Sequence, residues 1–246
     1  MKKLVFLLFV AIVLGCEQDS SDVSPDLGGV GKGGSLTRFT IVNNQLLVLD
    51  NSTVIQYDIV DGGKFEYKHT LEMEVGLETI HANGEYVLVG SNSAVYFLRF
   101  NAFDALEFVS SYTHITSCDP VVASNGIAYS TLRSSGCAFN GAEVIDVIDF
   151  SDVENPQLIK SYNSYGPYGL TLNEQFLFVC EWGGIKMYDR SSPSNLREVD
   201  FLEIDGHTPI DLILRGNNMI VRTLEGVLNV GFTTEGEMEV RAVIVD

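Results

Sequence analysis

Residues Pro167–Gly206, PYGLTLNEQFLFVCEWGGIKMYDRSSPSNLREVDFLEIDG, read as four short strands in succession. GLTL leads to a turn at Asn173–Gln175 and FLFVCE to a turn at Gly183–Gly184. IKMYD then runs into a polar loop, and REVDFLEI closes the unit. Each segment is rich in β-branched and aromatic residues and is bounded by turn formers, as strands of a half-buried or buried sheet are. One such sheet cannot cover both of its faces, whereas several set side by side cover one another.

The rest of the chain repeats this unit. The residue opening the second strand is Leu46, Tyr86, Ile127, Phe176 and Met219 in five successive copies, spaced 40, 41, 49 and 43. Third strands end at Tyr57, Leu98, Ile148, Tyr188 and Gly231, spaced 41, 50, 40 and 43. Fourth strands reach Leu71, Tyr112, Tyr162, Phe201 and Val243, spaced 41, 50, 39 and 42. Three marks agree on the period, including its one long step. Four strands at a period of roughly 40–45 residues is the signature of a propeller, since solenoids of that period are helical. The sequence therefore predicts an all-β fold, a five-bladed β-propeller of four-stranded antiparallel blades with essentially no helix. Its blades lie at about 35–76, 77–115, 116–166, 167–206 and 207–246. Each is built from one contiguous repeat, and the ring is expected to close by packing blade 1 on blade 5.

Glu143–Tyr162 in the third copy, EVIDVIDFSDVENPQLIKSY, resembles the bacterial LVIVD repeat, whose pattern runs roughly LxIVDVSDPSNPxLVGSY. Val144, Ile145, Val147, Ile148, Asp149, Ser151, Asp152, Asn155, Pro156 and Tyr162 fit it. The fourth copy keeps Ile185, Tyr188, Asp189, Ser192, Pro193, Ser194 and Asn195. The other three have drifted, with Asp58 retained in the first and Arg99 and Phe232 in its place elsewhere. The resemblance implies a cell-surface propeller and implies no catalytic residues.

Residues 1–15 carry Lys2 and Lys3, then an apolar run from Leu4 to Leu14. That run is too short to span a bilayer and reads as a signal peptide. Val13-Leu14-Gly15-Cys16 resembles a bacterial lipobox, which implies that Cys16 is acylated and anchors the chain in the outer membrane of the cell envelope. The plainer alternative is an ordinary secreted protein. Residues 16–34 are acidic and then glycine-rich without apolar periodicity, the composition of a flexible tether. Acidic residues just after the cysteine resemble the surface-export signals of some Bacteroidota lipoproteins; they serve equally as a soluble spacer.

The chain has 15 basic and 33 acidic residues, a net charge of −18, and loss of Lys2 and Lys3 with the leader leaves about −20. Such a field repels nucleic acid and anionic surfaces. A hydrophobic content of 46% is ample for one core, and no linker interrupts Ser35–Asp246. The chain is expected to be a monomer that touches the membrane only through its N-terminal lipid. The third copy owes its length to Leu132–Ala142, between its second and third strands. Cys118 precedes that blade's first strand and Cys137 lies in the long loop, so both fall on one rim. A Cys118–Cys137 disulfide is expected in an exported protein. Cys180 is then the spare thiol, and Cys118–Cys180 is the alternative pairing.

No G-x-S-x-G, H-E-x-x-H, P-loop or C-x-x-C occurs, and His69, His81, His114 and His207 share no metal-site spacing. Asp146, Asp149 and Asp152 resemble ion ligands, but the first two point to opposite sides of a strand and Asp149 stands where a turn begins. Neither a metal nor a cofactor is expected. One constellation remains. Arg38, Glu78, Asp119, Tyr168 and Asp211 each stand eight residues before the alignment mark, at the start of an innermost strand. Arg133, Glu181 and Trp182, with Arg222 and Glu225, follow second strands on the same rim. Together they form a candidate ligand-binding ring for a polar ligand or protein loop, although polar groups at a wet channel mouth also bond backbone and water. Three functions stay open: a binding or scaffold propeller with an unidentified partner, a metal-assisted hydrolase or lyase using the acidic ring, and a periplasmic envelope-assembly factor.

Overall fold

The computed structural model describes residues 34–114, 120–134 and 143–245. Twenty strands form five separate four-stranded antiparallel sheets, and the only helical element among the described residues is a single 3-10 turn, Pro193–Asn195. Blade 1 is β1 (Phe39–Val42), β2 (Gln45–Leu49), β3 (Thr53–Val60) and β4 (Lys64–Glu72). Blade 2 is β5 (Leu77–Asn83), β6 (Tyr86–Ser91), β7 (Ala94–Phe100) and β8 (Leu106–Thr113). Blade 3 is β9 (Val121–Ser124), β10 (Ile127–Leu132), β11 (Val144–Asp149) and β12 (Gln157–Asn163). Blade 4 is β13 (Leu170–Leu172), β14 (Phe176–Glu181), β15 (Gly184–Asp189) and β16 (Arg197–Glu203). Blade 5 is β17 (Pro209–Arg215), β18 (Asn218–Thr223), β19 (Gly226–Phe232) and β20 (Met238–Val245). Strand order follows the sequence in every sheet, so no strand is exchanged between blades, as the repeat predicts. Tight hairpins set the registers: Asn43 and Asn44 both take positive φ between β1 and β2, as do Asn125 and Gly126 between β9 and β10.

The core is four separate apolar layers, one at each of four blade junctions. Leu47 and Val54 meet Val87 and Leu98 between blades 1 and 2. Phe97 and Leu88 meet Phe150 and Ile148 between blades 2 and 3. Tyr129 and Val147 meet Leu177 and Val179 between blades 3 and 4, and Phe178 and Met187 meet Val221 and Phe232 between blades 4 and 5. Innermost strands lie side by side at the same four junctions, β1 with β5, β5 with β9, β9 with β13 and β13 with β17.

A polar latch repeats at those junctions. In each, the fourth strand of one blade bonds the loop between the third and fourth strands of the next, or its exit. Lys68 Nζ bonds Asp104 at 2.7 Å, and Ser110 Oγ bonds the Val153 carbonyl. Tyr162 OH donates to the Pro193 carbonyl at 3.3 Å and accepts the Leu196 N–H at 2.9 Å, and Asp200 accepts the Met238 N–H at 2.8 Å. The repeat's own motif accounts for the loops being latched. Asp149 Oδ1 accepts the Ser151 N–H at 2.9 Å, and Asp189 Oδ1 accepts the Ser191 N–H at 2.9 Å. That bond, with Arg197 at 2.9 Å, holds the Asp189 carboxyl at about 2. These aspartates are turn builders.

The expected closure of the ring does not occur. Among the described residues, the faces of blades 5 and 1 that look across the fifth junction are not packed on each other, and no buried apolar layer joins them. Phe39 is 59% exposed and Ile244 67%. A sheet face is buried only by a neighbour that comes round to meet it, and among the described residues none meets these two.

A strap stands in part for the missing contact. Ser35 is buried; its hydroxyl accepts the Leu170 N–H at 2.8 Å and donates to Asp211 Oδ1 at 3.2 Å. Two residues on, Thr37 bonds Ile80 of blade 2 through its carbonyl. Gly34, which the composition assigns to the tether, belongs to this strap. A Cβ there would fall 2.2 Å from Asp211 Oδ2.

Two substitutions separate the layers from the latches. Phe97→Ala, in a fully buried layer, is expected to cost about 3–5 kcal/mol. Tyr162→Phe keeps the ring and strands the Leu196 N–H, costing about 1–2 kcal/mol. Urea denaturation followed by circular dichroism measures both.

Candidate binding rim

The sequence-predicted ring separates into two groups. Pairing shows that the second strands open at Gln45 and Asn218, one residue earlier than Leu46 and Met219. The positions equivalent to Glu78 and Tyr168 in blades 1 and 5 are therefore Thr37 and Ile210. Arg38 and Asp211 stand one residue further on, so the five polar groups are not equivalent members of one ring. Arg38 is exposed just ahead of β1, and Glu78 is half-buried at an irregularity in β5 between Leu77 and Thr79. Asp119 lies outside the described residues, with Cys16, Cys118 and Cys137.

The first group sits where blades 3 and 4 meet. Arg133, just after β10, lays its guanidinium over the Tyr168 ring, 4.1 Å from the centroid. Tyr168 is held from both sides of its backbone: Thr131 Oγ1 donates to its carbonyl at 2.6 Å, and its N–H reaches the Cys180 carbonyl at 2.8 Å. Trp182 follows β14 and stays 48% exposed. Its ring meets Tyr165 edge to face at 5.6 Å, and its backbone N–H donates to the Tyr165 carbonyl at 3.0 Å. Gly166 makes this packing possible, since its φ is +54° and a Cβ there would lie 2.7 Å from the indole. Glu143 accepts the Gly166 N–H at 3.2 Å and steadies the same turn.

Glu181, expected on the rim, is a buried acid. Its carboxylate is taken by Lys186 at 2.9 Å and Ser164 Oγ at 2.5 Å, and it orients the junction without facing solvent. Burial, together with the Glu181 charge beside it, pushes the Tyr188 phenol far up. Sequence reasoning missed Tyr165; the Tyr-Gly-Pro run before β13 was the available signal.

The second group is Asp211 with the strap. Desolvation raises the Asp211 carboxyl above its ordinary value, against the lowering effect of hydrogen bonds from Ser35 and the strap backbone. Arg222 is its cross-strand partner. Cys180 is a free, fully buried thiol pushed up by burial and by the Asp211 charge. Asp146, one of the candidate ion ligands, instead accepts Tyr112 OH at 3.1 Å and Ser161 Oγ at 2.5 Å. No group of three or more metal-ligating side chains occurs among the described residues.

No protein-family model matches the sequence, and no curated protein matches it. Similarity lies in the fold. A protein from Lactobacillus plantarum superposes with a TM-score of 0.68 at 13% identity, over 82% of this chain and 68% of the other. The periplasmic gluconolactonase PpgL of Pseudomonas aeruginosa gives 0.64 at 13%, over 82% and 69%. A chain from the S. cerevisiae assembly of Dbp5 bound to Nup159 and Gle1 gives 0.55 at 10%, over 87% and 65%. The chain is a β-propeller, and it spans about two thirds of the length of these solved structures.

His81 carries a prediction of its own. On inner strand β5, burial pulls its imidazole down to about 4, against the raising effect of a hydrogen bond to the Ala123 backbone of β9. The unfolded chain takes up a proton near pH 6.5 and the folded chain only near 4, so stability falls as pH drops through that window. Chemical denaturation at pH 7 and pH 4.5 should show His81→Gln losing less stability than the parent. The difference is at most about 3 kcal/mol.

Proposed function

We propose that this protein is a lipid-anchored cell-envelope propeller that binds a protein or polar ligand through the rim at the junction of blades 3 and 4. The observation that carries the reading is the Trp182–Tyr165 pair. It presents two largely exposed aromatic rings on a turn locked by Gly166 and Glu143, beside an arginine already stacked on Tyr168. Rigid aromatics and arginine dominate interface energies because they bury much surface at low entropic cost. A side chain kept half-exposed by a built turn is better suited to recognition than to core packing.

The lipobox-like Val13–Cys16 supports acylation of Cys16, and the resemblance of Glu143–Tyr162 to the LVIVD repeat supports a surface position. The likeness to a chain from the Dbp5–Nup159–Gle1 assembly is compatible with a protein partner. The likeness to a gluconolactonase adds no catalytic group, since Glu181 is committed to Lys186 and Ser164. Of the acidic ring that the enzymatic alternative would use, Glu181 is thus committed and Asp119 lies outside the described residues. The envelope-assembly alternative differs only in the side of the membrane on which the rim works.

A photo-crosslinking residue at Tyr165 in intact cells should give a discrete adduct, and one at Phe103, on the opposite rim, should give none. Trp182→Ala should weaken the interaction so identified at least about tenfold, the loss of a hot-spot aromatic. Equal adducts from both rims would move the site. Mass spectrometry of the mature N-terminal peptide checks the anchor: an acylated Cys16 is expected, and Cys16→Ala should leave the protein in the soluble fraction.

A further inference from the structure

We propose that the corner between Trp182 and Tyr165 binds a quaternary ammonium group, a trimethylammonium cation held against two aromatic rings beside the Glu143 carboxylate. The proposal rests on the reading of this rim as the binding surface and names the ligand chemistry it takes. The two rings stand 82° apart with their centroids 5.6 Å from each other. Tyr165 is 62% exposed and Trp182 48%. Perpendicular rings that stay in solvent bound an open corner, in which one cation can lie within about 6 Å of both centroids. The faces of aromatic rings carry the negative end of their quadrupole and so attract positive charge.

Local backbone builds the corner. Gly166 is buried, and a Cβ on it would lie 2.7 to 2.9 Å from three atoms of the pyrrole ring, so the chain backs closely onto the indole there. The bond from the Trp182 backbone N–H to the Tyr165 carbonyl fixes the two loops on each other. A second ring pair gives the contrast. Tyr57 and the exposed Tyr67 lie directly opposite on β3 and β4, the ordinary position of a cross-strand pair. Strand pairing accounts for that contact, whereas no sheet ladder brings Tyr165, between β12 and β13, to Trp182, between β14 and β15.

The surrounding charges select a cation. Glu143 accepts the Gly166 N–H at 3.2 Å and the Ser134 hydroxyl at 3.3 Å, two neutral donors that leave its negative charge in place. The cations nearby are engaged elsewhere, Arg133 over the Tyr168 ring and Lys186 on Glu181 and over the Phe201 ring. Blades 3 and 4 use the same pairing again, with Lys160 over Tyr162 at 4.5 Å and Arg190 over Tyr129 at 5.3 Å. Among the described residues no lysine or arginine lies over Trp182 or Tyr165. A primary ammonium carries three N–H donors that need acceptors once it leaves water. Both Glu143 oxygens already accept a bond, so the corner suits a quaternary ammonium, which has no donor to satisfy. The net charge of −18 draws cations towards the chain at long range.

Trp182 is the chain's only tryptophan, so its fluorescence reports on this corner. Titration of the purified full chain with choline chloride should give a saturable change, with sodium chloride at matched ionic strength giving none. The uncharged isostere 3,3-dimethylbutan-1-ol should bind at least about threefold more weakly, the share that ring faces give to a positive charge. Glu143→Gln and Tyr165→Ala should each weaken choline binding at least about threefold. Tyr67→Ala, at the cross-strand pair, should leave it unchanged, and circular dichroism confirms the fold of each variant. An equal response to choline and its isostere makes the corner merely apolar and overturns the proposal. A response to methyl glucoside in place of choline overturns it too, as does no response to either. Crosslinking at Tyr165 separates the two failures. An adduct there without a choline response keeps the rim as an interaction surface and rejects the ligand, whereas no adduct and no response reject both.

Discussion

Every sheet in this molecule has two faces to cover and can cover neither by itself. All of the large-scale structure follows from that constraint. Blades 2, 3 and 4 are sandwiched, and their second and third strands can be apolar at nearly every position because both sides find a neighbour. Tyr86–Ser91, Ile127–Leu132 and Phe176–Glu181 are buried at every position or at all but the first. Blades 1 and 5 meet the constraint on one side only. The fold is thus a stack bent into an arc, with cohesion passing from one layer to the next.

Polar contacts refine this arrangement without replacing it. The latch from a fourth strand to the next blade's loop fixes how far each blade is rotated on its neighbour, since the loop ends of Pro193–Asn195 and Asp152–Asn155 must meet Tyr162 and Ser110. Residues that make the third and fourth copies look like a named repeat are mostly these latch and turn residues. Asp149, Asp189 and Tyr162 act in turns and between blades. Their pattern therefore speaks of architecture and carries no information about a ligand.

The candidate site was legible in part. Trp182 and Arg133 could be placed on one rim from strand phase alone, because a residue just after a second strand must emerge at that end. The pairing of Trp182 with Tyr165 could not be read, since it depends on a positive-φ glycine letting one loop approach another. Glu181 shows the opposite failure: its position at the end of β14 suggested a solvent-facing acid, but Lys186 of β15 and Ser164, just after β12, close over it. The supposed ring of five polar groups dissolved on a register difference of one residue in blades 1 and 5. Strand alternation makes such a slip decisive for where a side chain points.

By itself the sequence determined the class of fold, the number of strands in each unit, the contiguous repeat and the hairpin turns. These depend on period-two patterning and on turn chemistry within a few residues, both of which are local. Only the tertiary structure decided which apolar faces are covered, which carboxylates are buried, and that the N-terminal strap through Ser35 ties blades 4 and 5 back to the start of the ring. Those outcomes depend on whether a neighbour arrives from far along the chain. At the seam of blades 5 and 1 none does among the described residues, and there the blade 5 face mixes Ile213 and Ile220 with Arg215 and Arg222.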